Sequence, residues 1–348
     1  MEKKQENLLE ISDLTVQYNT DDAVVHAVNN FNLSLVRGEA RGLVGETGAG
    51  KTTLALSILR LLPERVGEIK GGSIVYDGQE LLKLPEAEML PLRGKRISMI
   101  FQDPMTSLNP TQTVGNQILE VLNLHFPEMS RSEKVKRVDE MMTLVGIPPE
   151  RKNSYPHEFS GGMKQRIVIA MALVAEPELL LADEPTTALD VTIQAQILRL
   201  IKSLISKYHL TAIYITHDLG VVANVAERIC VMYGGDILEI GTAEEVFYNP
   251  LHPYTWALLS SLPQLGVKGE KLFAIRGTPP NLFGEIKGDP FAPRNPYALK
   301  IDYEERPPFF EVSPTHKART WLLDPRAPKV ERPEIIRKLS ERRLTENG

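Results

Sequence analysis

Gly45-Glu46-Thr47-Gly48-Ala49-Gly50-Lys51-Thr52 is the stretch that decides the fold. It follows an apolar run at 41–44 and opens a segment in which Leu54, Ile58, Leu59 and Leu62 share one helical face until Pro63 and the glycines at 67, 71 and 72 stop it. Strand, glycine-rich loop and helix, in that order, are the context that a G-x-x-x-x-G-K-[ST] phosphate loop requires, and they disfavour the plainer reading of a structural turn. Glycines let backbone N–H groups turn inward around a β-phosphate, while the helix N-terminus adds a positive dipole. On this reading residues 45–50 form the cradle, Lys51 reaches the β and γ oxygens, Thr52 ligates Mg²⁺ and Thr53 donates to the α-phosphate.

Working outward, residues 8–11, 14–18, 24–28, 31–35 and 40–44 read as short strands, and 73–76 and 97–101 as two more. Amphipathic helices at 114–125 and 132–145 make the stretch from about 103 to 160 a helical insertion. The pattern then alternates: helix 162–175, strand 178–182, helix 191–208, strand 211–216, helix 219–226, strand 228–233. Such alternation predicts a mostly parallel sheet covered on both faces. Past Gly241 periodicity fades, and residues 277–348 hold 11 of the 25 prolines, which marks an appended, loop-rich module. Residues 329–348 read as a solvated helix and frayed terminus.

Composition narrows the function. With 40 Lys and Arg against 45 Asp and Glu the net charge is −5 and no basic stripe is present, so no nucleic-acid partner is expected. The longest apolar run, 167–175, is half of the ~18 residues that a spanning helix needs. The N-terminus is polar, without an export signal. Cys230 is the single cysteine, which excludes an internal disulfide and fits a cytosolic chain.

Leu179-Leu180-Leu181-Ala182 runs into Asp183-Glu184, placing two carboxylates at the carboxyl end of a buried strand, where ligand crevices of parallel sheets lie. Asp183 is suited to the Mg²⁺ water shell and Glu184 to general-base activation of the attacking water, although a solvated strand end would carry the same letters.

At this point the chain resembles the ATP-binding cassette ATPases. Phe159-Ser160-Gly161-Gly162-Met163-Lys164-Gln165-Arg166, 109 residues past Lys51, is similar to that family's signature sequence and supplies a second anion site at a helix start. The resemblance implies a P-loop NTPase (RecA-like) α/β core with an antiparallel β subdomain and an α-helical subdomain, and a head-to-tail dimer in which Ser160, Gly161 and Gly162 close on ATP held by the other protomer. It further implies that Gln102 contacts Mg²⁺ and the lytic water, that His217 contacts the γ-phosphate, that Tyr18 is the adenine platform, and that Thr187-Ala188-Leu189-Asp190 crosses the dimer interface. With every catalytic position intact, an active ATPase is expected.

Family members acting on DNA or ribosomes carry coiled-coil arms or tandem cassettes, and this chain has neither, which leaves a soluble repair or translation ATPase as the weaker alternative. Asn249-Pro250-Leu251-His252-Pro253-Tyr254-Thr255, Arg276-Gly277-Thr278-Pro279-Pro280 and Phe291-Ala292-Pro293-Arg294 resemble the C-terminal module of oligopeptide and dipeptide importer ATPases, as does the run at 101–110. The implied organisation is a cassette at 1–245, an extension at 246–330 and a polar tail at 331–348. The implied partners are a second homologous ATPase, giving a heterodimer, two permease subunits whose coupling helix meets residues 100–110, and an extracellular binding protein, with the chain on the cytoplasmic face of the membrane. Cargo is peptide by this resemblance, although similar systems carry nickel chelates or oligosaccharides. One departure stands out. Where the subfamily commonly places four cysteines for an iron–sulfur cluster, this chain has Asp289, Asn295, Asp302 and Thr320, so no cluster is expected. Packing by Phe291, Tyr297, Phe309, Phe310 and Trp321 is expected to hold the module instead, with Asp289 and Asp302 solvated.

Overall fold

A computed structural model of the chain describes residues 6–187, 189–265 and 274–346; the polar start at 1–5, Ala188 of the interface-loop motif and the last two residues of the expected tail lie outside that range. The chain forms two compact units, each discontinuous in sequence. One comprises residues up to 8, 35–40 and 80–214, and the other 9–34, 41–79 and 215 onward.

In the first unit, strands Ile97–Ile100 and Leu179–Asp183 and the first part of Thr211–Thr216, up to Tyr214, are neighbours in that order. The first two are parallel, with Ile97 opposite Leu179 and Ile100 opposite Ala182. Every residue of Leu179–Asp183 is buried, which is why the strand reads as a continuous apolar run rather than an alternation. Helix Gly161–Leu173 packs on Ile97–Ile100 and on the insertion helices Val114–His125 and Arg131–Leu144. The last of these begins at a capping box in which Ser130 and Glu133 satisfy each other's backbone N–H groups.

In the second unit, Val24–Val36, Asn7–Asn19, Gly67–Tyr76 and Gln79–Glu80 form a sheet in that order, with Asn7–Asn19 antiparallel to Gly67–Tyr76. Four short strands expected between 8 and 35 are therefore two long ones. Asp13 (φ 47°) and Asn30 (φ 44°) take left-handed turns inside the strands, and Asn32 Oδ1 accepts from the Asp13 N–H, so the polar punctuation bends the strands without ending them. The helix after the phosphate loop is Lys51–Leu59, shorter than the apolar spacing suggests, because Arg60 adopts φ 52° and closes it.

The remaining strands of this unit run Ala40–Val44, Arg228–Tyr233, Asp236–Thr242, Lys317–Ala318 and Phe310–Glu311. Ala40–Val44 and Arg228–Tyr233 are parallel, whereas Asp236–Thr242 returns antiparallel through Gly234-Gly235, both at positive φ. The parallel sheet thus has an antiparallel flank, and the extension adds two strands to it instead of standing as loops alone. Its core combines Val44, Val222, Ile229 and Val231 with Tyr254, Trp256 and Phe291. Tyr233, Tyr254 and Phe291 form a ring cluster with centroids 4.6–5.3 Å apart. Tyr297 packs on Trp256, Phe310 on Trp321, and Phe309 lies under Arg319, so the aromatic packing expected of the module is present. Helix Glu334–Glu346 is not simply solvated: Ile336 and Leu339, three residues apart, are buried in this same core. Among the described residues no helix is long and apolar enough to cross a membrane.

Candidate nucleotide site

The phosphate-loop residues belong to the second unit. Strand Ala40–Val44 is wholly buried and delivers the chain to Gly45, where a Cβ would lie 2.1 Å from the Met232 carbonyl oxygen. Gly50, at φ 95°, caps helix Lys51–Leu59, and a Cβ there would stand 2.2 Å from the Ala27 oxygen. Close backbone approach therefore demands glycine at both positions. The Gly45 N–H donates to Thr216 O, two residues after which Asp218 caps helix Leu219–Val225, so exposed His217 is held beside the start of the loop. Lys51 Nζ is buried and donates to the Gly45 and Glu46 carbonyls at 2.8 and 3.0 Å, curled over the loop that it would serve. Thr52 is exposed, and the Thr53 hydroxyl lies 3.1 Å from the Tyr18 hydroxyl, which brings those two candidates together.

The carboxylates Asp183 and Glu184 belong to the first unit. Asp183 ends the buried strand at 2% exposure, and Glu184 follows at φ 44°, a left-handed conformation that turns the chain sharply. Glu184 Oε2 accepts from Gln102 Nε2 at 3.0 Å and from the Thr187 hydroxyl at 2.8 Å. Gln102 and Glu184, 82 residues apart, are thus in direct contact and the carboxylate is fixed in orientation. Ser160 is the N-cap of the thirteen-residue helix Gly161–Leu173, its hydroxyl accepting from the Met163 N–H, and Ser160 and Gly161 are exposed. Asp190 caps helix Val191–Tyr208 by accepting from the Thr192 and Ile193 N–H groups.

The four positions where cysteines would sit are all buried, and each accepts a backbone N–H: Asp289 from Phe291, Asn295 from Tyr297, Asp302 from Leu299 and Thr320 from Leu322. Asp289 and Asp302 are therefore not solvated, contrary to expectation; turn-forming hydrogen bonds draw them inside. Burial, with Asp289 nearby, pushes the Asp302 carboxyl above its ordinary range. Among the described residues no group of three or more His, Cys, Asp or Glu is arranged to hold a metal ion.

Three contributors escaped the sequence reading. Glu239, on strand Asp236–Thr242 and fully buried, accepts from the Leu251 and His252 N–H groups and the Thr255 hydroxyl, and pairs with His316 at 2.8 Å; it anchors the Asn249–Thr255 words. Tyr254 and Arg294, known to the sequence only as parts of motif words, both bond to Glu46. Nothing local in the sequence signals those pairings, since the partners are 208 and 248 positions apart.

The ABC transporter family model matches residues 28–187, and that for the oligopeptide/dipeptide transporter C-terminal region matches residues 238–301. The oligopeptide transport ATP-binding protein OppD of Bacillus subtilis is 56% identical over 333 residues, covering 95% of this chain and 93% of the relative. The chain belongs to the ABC transporter family. The dipeptide transport ATP-binding protein DppD of Lactococcus lactis is 52% identical, covering 94% of each chain. Among solved structures, the ATP-binding cassette MJ0796 in a dimeric post-hydrolysis state bound to ADP and Pi is similar at 28% identity, with TM-score 0.61 over 68% of this chain and 98% of that one. As an ABC ATPase this chain has the P-loop fold, binds ATP and hydrolyses it.

Proposed function

We propose that this ABC ATPase hydrolyses MgATP to drive uptake of dipeptides or oligopeptides through a membrane importer. The observation that carries the catalytic part is the Glu184 carboxylate, fixed by Gln102 and Thr187 at the end of the Leu179–Asp183 strand, as a general base for water must be. In this reading residues 45–50 present N–H donors to the phosphates, Lys51 swings from the Gly45 and Glu46 carbonyls to the β and γ oxygens, and Thr53 serves the α-phosphate with Tyr18 beneath adenine. Asp183, Thr52 and Gln102 offer carboxylate, hydroxyl and amide oxygen, the hard donors that Mg²⁺ takes, and the Gln102 amide N–H is already committed to Glu184. The metal, when bound, offsets charge on the β and γ oxygens. Glu184 takes the proton of the attacking water, and His217 orients that water against the γ-phosphate.

Ser160, Gly161, Gly162 and Asp190 lie at exposed helix starts, suited to meet nucleotide across a dimer. The peptide cargo is supported by the match of residues 238–301 and by the names of the relatives. The assembly is a heterodimer of ATPases on the cytoplasmic face, coupled near residues 100–110 to two permease subunits fed by an extracellular binding protein. The domain limits at 245 and 330 belong to the same reading. To test it, the native complex is purified and its ATPase measured with binding protein loaded with dipeptides, longer peptides, nickel chelates or oligosaccharides. Stimulation by peptides alone is expected, and stimulation only by another cargo would defeat the peptide assignment.

A further inference from the structure

Glu46 stands inside the phosphate loop, where a carboxylate is a liability: it repels the phosphates that the loop is shaped to hold. The extension answers it. Arg294 Nη1 lies 2.5 Å and Nη2 3.2 Å from the two Glu46 oxygens, a bidentate fork, and the Arg294 side chain is 5% exposed. The fork cannot swing away, because Arg294 Nε donates to the Arg276 carbonyl at 2.9 Å, Nη1 also donates to the Tyr233 hydroxyl at 2.8 Å, and the guanidinium lies over the Tyr233 ring. Burial opposes the Arg294 charge, but the bonds to Glu46 and Tyr233 more than restore it, so it stays protonated. The Glu46 backbone is gripped as well: its N–H donates to the Tyr254 hydroxyl at 2.8 Å, and burial keeps that phenol protonated. Arg294 closes the short turn Ala292–Arg294, whose flanks are fixed by Asp289 and Asn295 through backbone N–H bonds.

We propose that Arg294 is a positioning residue for ATP: by neutralising and orienting Glu46 it sets the nucleotide affinity of the phosphate loop, so that the C-terminal extension is a working part of the ATP site. The inference rests on reading residues 45–52 as the phosphate loop. The sign of the charge makes it testable apart from folding. In the full-length chain, Arg294→Gln leaves Glu46 uncompensated beside the phosphates and raises the Kd for a fluorescent ATP analogue about tenfold. The double variant Glu46→Gln, Arg294→Gln carries no uncompensated carboxylate, and its Kd returns to within about threefold of wild type, a strong non-additivity. A merely structural role gives a double variant as weak as the single or weaker, and that result overturns the inference, as does an unchanged Kd in Arg294→Gln. Should Arg294→Gln not fold, Arg294→Lys keeps the charge without the fork; a Kd raised severalfold supports the proposal and a wild-type Kd overturns it. Lys51→Ala separates the two readings: if that variant still binds the analogue, the loop assignment itself falls.

Discussion

Gly50 concentrates two constraints at one atom. Its φ of 95° is unfavourable for any L side chain, and the Ala27 carbonyl occupies the space of a Cβ. Gly50→Ala is expected to weaken ATP binding at least tenfold, on the order of 1.4 kcal/mol or more, by forcing the loop open; equilibrium binding of a fluorescent nucleotide would report it. Glu184→Gln removes the proton acceptor while keeping the oxygen that takes the Gln102 and Thr187 donors, so turnover should fall by roughly 10²-fold or more with ATP still bound. Phosphate release beside nucleotide retention checks this, and near-normal turnover would remove Glu184 as the base. Both residues were legible in the sequence, because the motif letters and their strand-and-helix context name the chemistry. Their contacts were not: Ala27 meets Gly50 through tertiary contact, and the Thr187 bond to Glu184 depends on the turn that the folded chain makes between them.

At the scale of elements, the extension is built by hydrogen-bonded turns and an aromatic core. Phe291 is fully buried against Tyr233 and Tyr254, and Phe291→Ala should cost about 3–5 kcal/mol of stability, read as a lower denaturant midpoint. Strand Asp236–Thr242 brings in a second lever. Burial pushes the Asp236 carboxyl up to about 6, with Arg306 at 3.2 Å and Arg319 pulling the other way. A carboxyl raised in the folded state above its ordinary 3.8 contributes stability that is complete below pH 3.8 and is lost as pH rises through 6. The loss is on the order of 3 kcal/mol between those limits, and Asp236→Asn should flatten this part of the stability–pH curve. Parallel denaturation series from pH 4 to 7.5 would show it; identical slopes would discount the group.

For the molecule as a whole, the four buried positions Asp289, Asn295, Asp302 and Thr320 offer oxygen to backbone N–H groups and no thiolate. Purified under anaerobic conditions, the protein should contain no stoichiometric iron or acid-labile sulfide, and iron near four per chain would refute this. The same chemistry explains how the module keeps its shape: each acceptor fixes a turn, and the rings of Phe291, Tyr297 and Trp256 fill the space between them.

What the sequence alone determined are features whose cause is local. The phosphate loop, the capped helices at Ser160 and Asp190, the apolar Leu179–Asp183 strand and the missing thiols all follow from residue type and spacing. The Gly234-Gly235 hairpin is local in the same sense, two adjacent glycines at positive φ between two apolar strands. Only the tertiary structure decided which strands are continuous, that the tail helix buries Ile336 and Leu339, that Gln102 bonds to Glu184, and that Arg294 grips Glu46. Those outcomes depend on partners tens to hundreds of residues away. A charged side chain written in isolation looks solvated, and burial beside a complementary group is a property that only the folded chain possesses.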